Sequence, residues 1–127
     1  MIIDDEDFRG TVFQACAMAD VTFDDVNMEG GSFVNTTMTR ARFTDLDLSS
    51  MKLDQINAQR ASVQRSTLQY ATIDDVDMSD TVFTNVNLQR AKFRDINLSG
   101  VVIDDANIEG LTIMGHDIQA LIAAKQG

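Results

Sequence analysis

The chain has no proline, one cysteine and one histidine among its 127 residues, and its basic residues are half as many as its acidic ones. Each shortage excludes something. The lone thiol, Cys16, cannot form an internal disulfide, so a reducing cytoplasm is the expected compartment. The lone histidine, His116, leaves serine-nucleophile chemistry with a single candidate base. Lys and Arg number 10 against 20 Asp and Glu, a formal charge of −10. That argues against direct binding of nucleic acid or an anionic membrane, both of which need basic surface. It favours solubility and permits basic partners. The opening "MIIDDEDF" has neither the basic nor the apolar segment of a secretory signal. No apolar run approaches the length of a membrane span. No proline-rich, Ser/Gly-rich or low-complexity stretch marks a boundary, so a single domain is expected.

What the chain does have is a five-residue clock. Positions ending in 3 or 8 run Phe8, Phe13, Met18, Phe23, Met28, Phe33, Met38, Phe43, Leu48, Leu53, then Ala58, Val63, Leu68 and on to Ile113. All are apolar, and only Ala58 is small. Positions ending in 1 or 6 are apolar or small, with Thr11, Gly31, Thr36, Ser66 and Thr81 as exceptions that are mostly small. The other three columns are mainly polar. On an α-helix a five-residue step spreads these anchors around the whole cylinder. On a flat strand an odd period sends successive anchors to opposite faces. The two apolar positions within a unit are two apart, which suits a short strand segment with one face inward. A bend in every unit, always to the same side, then closes the chain into stacked coils, a solenoid. Phenylalanine occupies alternate units (Phe13, Phe23, Phe33, Phe43, Phe83, Phe93), with methionine or leucine between. That ten-residue alternation requires an even number of sides.

The units "TRARF", "TDLDL", "TNVNL", "QRAKF", "RDINL" and "DDANI" resemble the pentapeptide-repeat family, whose consensus is Ala-Asp/Asn-Leu-x-x. The resemblance spans roughly residues 6 to 115 without a break in register. It implies an all-β fold: a right-handed, four-sided parallel β-helix of five to six twenty-residue coils, with a short C-terminal α-helical cap. At about 4.8 Å per coil the rod is about 25 Å long. The resemblance also implies a bacterial host. Residues 1–116 form the solenoid and 117–127 the capping helix and tail.

A twenty-residue coil stacks each side chain on its neighbour twenty places on. One wall then carries Phe13, Phe33, Leu53, Ile73, Phe93 and Ile113, and the opposite wall Phe23, Phe43, Val63, Phe83 and Ile103. Residues 51–70 form the weak coil, anchored by Leu53, Ala58, Val63 and Leu68 without an aromatic ring; the larger Met51 and Ile56 are expected to compensate in volume. Ser66 points inward and should bond to backbone. In "GHDIQALIAAK", Ile118, Leu121 and Ile122 have helical spacing, with Asp117 as N-cap and Lys125 near the end. This helix should lie over the last coil. The first coil is guarded by Asp4, Asp5, Glu6 and Asp7 or buried against a second copy, so a homodimer through a solenoid end is an expectation.

Outward charges predict ladders Asp20–Arg40, Arg60–Asp80, Asp45–Arg65 and Asp74–Arg94, each worth little. Residues 1–39 sum to −7, residues 40–65 to +2 and residues 66–127 to −5, so acidic ends flank a slightly basic waist. The most acidic wall, with Asp24, Asp25, Asp45, Asp104 and Asp105 beside Arg42 and Arg65, is the candidate partner-binding surface. Catalytic, metal and cofactor sites are expected to be absent. His116 falls in a secondary inward position and Cys16 in an inward column, which suit structural roles. The doublets Asp24-Asp25, Asp74-Asp75 and Asp104-Asp105 mark adjoining solvent-facing columns rather than a cation site. A non-enzymatic scaffold for a protein partner is the leading reading. The alternative, which the resemblance implies, is a DNA mimic that binds a type II topoisomerase such as DNA gyrase, like the quinolone-resistance members of the family. Charge favours it; the short rod and the basic waist oppose it.

Overall fold

The fold is that of a computed structural model, which describes residues 2–4 and 7–126. Its strands recur about every ten residues. They are β1 (Ile2–Asp4), β2 (Val12–Gln14), β3 (Thr22–Asp24), β4 (Ser32–Thr37), β5 (Arg42–Thr44), β6 (Lys52–Asn57) and β7 (Ser62–Gln64). There follow β8 (Thr72–Asp77), β9 (Val82–Asn87), β10 (Lys92–Asn97), β11 (Val102–Asn107), β12 (Thr112–Ile113), β13 (His116–Asp117) and the helix α1 (Ile118–Gln126). Odd and even strands separate into two sheets, ordered β1-β3-β5-β7-β9-β11 and β13-β12-β10-β8-β6-β4-β2. Every parallel pair is offset by twenty residues, as in Phe23↔Phe43 and Phe13↔Phe33. The solenoid and both aromatic walls are therefore those the five-residue clock predicts.

The corners explain the period. Every described position ending in 5 from Ala15 to Asp105 has φ between +49° and +57°. Every position ending in 0 from Gly10 to Gly110 has φ between +58° and +72°. Four such corners per twenty residues make a four-sided coil. The corners at 0 are type II turns: the N–H at each position ending in 1 donates to the carbonyl three residues back, as in Ala71 to Leu68 at 3.0 Å. The corners at 5 lack that bond. Two kinds of corner alternate, in step with the phenylalanines at 13, 23, 33, 43, 83 and 93 and the methionine or leucine at most positions ending in 8. Asp and Asn, which tolerate the left-handed region, fill seven of the ten corners from Ala15 to Asp105. The consensus Asp/Asn has its own task. At Asp7, Asn27, Asp47, Asn57, Asp77, Asn87, Asn97 and Asn107 the side-chain Oδ1 accepts the N–H two residues on at 2.9–3.2 Å, bracing the type II corner that follows.

Inside, no anchor from Phe8 to Ile113 is exposed. Phe23, Ile73, Phe83 and Phe93 are fully buried. Phe13 stacks on Phe33 at 4.8 Å and Phe23 on Phe43 at 5.3 Å, while Phe23 meets Phe33 edge-on at 6.1 Å across the interior. Such pairs add about 0.5–1.5 kcal/mol each beyond area burial. Inward polar groups are satisfied. Ser66 Oγ donates to the Gln64 carbonyl at 2.9 Å and accepts the Leu46 N–H at 3.1 Å. Thr81 Oγ1 donates to the Ala58 carbonyl at 2.9 Å.

Several expectations need correction. Compensation in the weak coil is partial: an apolar cavity of about 40 Å³ remains beside Met51, Ile56, Ala58, Val63 and Leu68. Met51 instead fills the space left by Gly31, its Cε 3.6 Å from where a Gly31 Cβ would stand. At the N-terminal end β1 pairs with β3, where the first sheet begins. Ile3 already stood in the anchor column. The side chains of Asp4, Asp5 and Glu6, expected to guard that end, and of Lys125 lie outside the described residues. At the other end Gly115 (φ +79°) turns the chain back, so β13 pairs antiparallel with β12 and leaves His116 exposed rather than inward. Asp117 does cap the helix, its Oδ1 accepting the Ala120 N–H at 3.0 Å. The helix does not lie over the last coil: Ile118 packs on the core, but Leu121 is 53% and Ile122 43% exposed.

Candidate functional site

On the two sides between the sheets, positions ending in 6 point inward while those ending in 5 and 7 project. Each side is therefore a furrow with two rims. One furrow runs from Asp7 and Asp25 to Asp105 and Asn107, as two open grooves of about 560 and 650 Å³ that share Asp45 and Asp47. The other runs along Asn35, Gln55, Asp75 and Asp95 on one rim and Asn57, Asp77 and Asn97 on the other. The floors are the buried or half-buried Val26, Leu46, Ser66 and Val86 in the first, and Thr36, Ile56, Val76 and Ile96 in the second. The rims are carboxylates and amides because the corner conformation and the turn brace both select Asp and Asn there.

Of the five predicted partner-binding residues, Asp25, Asp45 and Asp105 share one rim of the first furrow, with Arg65 and Asn85 between them. Asp24 and Asp104 lie one residue before the corner, at strand positions of the adjoining sheet. The predicted wall is thus split across a corner. Residue columns did not mark Asp7 and Asp47 on the opposite rim, or Asp75, Asp77 and Asp95 on the second furrow. The signal was available in the Asp/Asn of the consensus, which sits at positions ending in 7.

Two of the predicted ladders form: Arg40 Nε to Asp20 at 2.7 Å and Arg65 Nε to Asp45 at 3.1 Å. A third pair, Arg9 to Asp7 at 2.8 Å, closes within one coil. Among the described residues Arg60–Asp80 and Asp74–Arg94 do not pair. The Asp80 carboxylate leans into the space that the absent side chain of Gly100 leaves open. The Arg40 guanidinium holds the Asp20 carboxyl below its ordinary range, and Arg9 does the same for Asp7. Asp77 is depressed by the Ser79 N–H and then by the Gln59 amide, which donates to Oδ2 at 2.7 Å. These are structural carboxylates. Cys16 Sγ, half-buried, lies 3.3 Å from the Gln14 carbonyl, and His116 sits in the terminal hairpin. Among the described residues no three His, Cys, Asp or Glu side chains gather as a metal would need. The chemistry on offer is recognition: rows of carboxylates and amides at about 4.8 Å intervals on a rigid support.

Pentapeptide repeats match in eight copies over residues 7–45, 64–100 and 81–115. The chain belongs to the pentapeptide repeat family. No curated protein sequence matches it. Among solved structures, a pentapeptide repeat protein from the cyanobacterium Cyanothece 51142 is similar at TM-score 0.74, with 12% identity over 87% of this chain and 86% of that one. A pentapeptide repeat protein of the Arabidopsis thaliana thylakoid lumen is similar at TM-score 0.57, with 23% identity over 73% and 68%. Both likenesses concern the fold. A trypsin-treated form of QnrB1, a plasmid-mediated fluoroquinolone resistance protein, reaches a TM-score of only 0.27 at 13% identity, over 99% of this chain and 96% of that one. This pentapeptide repeat chain is a repeat scaffold, with an apolar interior and its charged groups on the outside.

Proposed function

We propose that the chain is a non-enzymatic interaction scaffold whose acidic furrows hold a basic protein partner. The observation that supports this most is the first furrow, where Asp7, Asp25, Asp45, Asp47 and Asp105 line a continuous surface and Arg9 and Arg65 are both engaged with rim aspartates. A rigid acidic track attracts basic segments and speeds their encounter, most strongly at low salt. The reading includes a reducing compartment, since Cys16 is a free thiol. No helix among the described residues is long and apolar enough to cross a membrane. The test is partner capture at low and high salt with the intact chain and with an Asp25→Lys/Asp45→Lys variant. The expected result is a partner held by the first, released by salt and lost from the second while its circular dichroism is unchanged. A partner indifferent to the variant would count against the furrow.

A DNA-mimic reading has one observation of its own, a net charge of −10 on a rod about 25 Å long. Duplex DNA carries one charge per about 1.7 Å of axis without interruption. Here the waist, with Arg40, Arg42, Lys52, Arg60 and Arg65, interrupts the charge, so the scaffold reading ranks first. Inhibition of gyrase supercoiling by micromolar protein would reverse that ranking.

A further inference from the structure

The last coil is finished on one side only. The second sheet ends in the antiparallel β13, and the Ile118 N–H donates to the Leu111 carbonyl beside it. The first sheet ends in β11, which among the described residues pairs with β9 alone. In the coils below, N–H groups at positions ending in 5, 8 and 0 donate upward: Asp45 to Gln64, Leu48 to Thr67 and Ser50 to Gln69. In the last coil the same groups belong to Asp105, Ile108 and Gly110, and among the described residues no coil lies above them. The inward side chains tell the same story. Phe83, Val86 and Leu88 are buried one coil below, whereas Ile103, Ala106 and Ile108 are only half-buried. The edge turns at the Asp105 corner (φ +53°), with residues 102–104 on one side and 106–107 on the next, and it carries carboxylates but no proline, lysine or arginine.

We propose that the β11 edge accepts a peptide as an added strand that follows its corner at Asp105, and that this strand is basic. The proposal rests on the scaffold reading and names the chemistry of a partner. The direction of charge is set by the sequence around the edge: from Asp95 to Ala124 there are five carboxylates (Asp95, Asp104, Asp105, Glu109, Asp117) and no Lys or Arg. A second copy docking by the same end would bring these carboxylates against each other, which disfavours a self-complementary dimer there. A strand with apolar residues facing the half-buried Ile103, Ala106 and Ile108, and lysine or arginine between them, satisfies both the backbone and the field. Backbone pairing gives the affinity and the alternate side chains give the selection.

The probe is a fluorescein-labelled nine-residue peptide alternating lysine or threonine with valine, with a glutamate-for-lysine version as control. The expected result with the intact chain is saturable binding of the lysine peptide only, with backbone NMR shifts confined to residues near 101–110. Asp104→Lys/Glu109→Lys, which leaves the furrow residue Asp105 in place, should weaken it by about ten-fold or more, and Ile103→Lys, an inward charge on the edge, should abolish it. Because Ile103→Lys could disturb the last coil, the surface double variant keeps the test decisive. Asp25→Lys/Asp45→Lys, in the furrow, should leave peptide binding within about two-fold. Loss only with the furrow variant would favour the furrow and overturn the edge. Equal binding to all variants, no binding, or a dimer in sedimentation that disappears with Asp104→Lys/Glu109→Lys would overturn it too.

Discussion

Replacing Ala58 with methionine should stabilise the solenoid at the cavity in its weak coil. Ala58 stands in a column with Met18, Met38, Met78 and Leu98 and lines the 40 Å³ apolar cavity. Empty core volume costs about 24 cal/mol per Å³, so the void is worth about 1 kcal/mol. The added side chain buries roughly three methylene-sized groups at about 0.8 kcal/mol each. Against this stands the rotamer entropy of methionine, about 1.5–2 kcal/mol. The net gain is about 1–2 kcal/mol, because methionine adapts to irregular gaps without forcing its neighbours apart. For a domain of this size that is a rise of about 3–8 °C in Tm by circular dichroism. In a linear array, local stability depends on each coil and its neighbours, so amide exchange in residues 51–70 should slow more than elsewhere. Met78→Ala, in the same column one coil up, should cost about 2–5 kcal/mol. An Ala58→Met protein that folds but melts at or below the parent temperature would refute the reasoning, since it would mean the space is already filled.

Three other outcomes can be checked. Asp77 has its carboxyl held below the ordinary 3.8 by Ser79 and Gln59; its contribution is complete above that value and is lost as pH falls through the lower folded value. Asp77→Asn should therefore melt below the parent at pH 6 and converge with it only as pH falls below the ordinary carboxylate range, and a gap independent of pH would contradict the assignment. Gly31→Ala puts a Cβ 2.8 Å from the Thr11 carbonyl and should cost about 1–3 kcal/mol in urea unfolding. Ala15 holds a corner at φ +54° without the local hydrogen bonding of Asn or Asp; Ala15→Asn should raise stability by about 0.5–1 kcal/mol, and a lower melting point would show that the corner is not strained.

How far the sequence revealed the fold follows from which interactions are periodic. Anchors at 3 and 8 repeat through the whole chain, so both walls, the inward Ser66 and the twenty-residue register could be read from columns. The corners were less visible because the left-handed region is occupied by Arg40, Arg60, Tyr70 and Gln55 as well as by glycine and aspartate. Backbone stacking overrides residue preference there. Ion pairs were half legible: columns bring Arg60 and Asp80 one coil apart, but the gap at Gly100 decides which way Asp80 turns. The ends were least legible, since a repeat says nothing about how it stops. Asp117 and the helix were evident from local signals, whereas the turn at Gly115 that exposes His116 depends on the sheet beneath it. Of the candidate surface, the carboxylate columns were visible; the division of Asp24 and Asp104 from Asp25, Asp45 and Asp105 appears only once the corner has a place.

Two unlike corners alternating along the chain also restrict how such a rod changes length. Removing five residues would keep every anchor apolar yet place each later corner out of phase, with braced turns stacked on unbraced ones. Removing ten would match corner with corner but rotate everything downstream by half a revolution, carrying Asp105 to the side opposite Asp25. Only a twenty-residue step shortens the rod and leaves its surface pattern aligned, so length and surface vary independently only in whole coils.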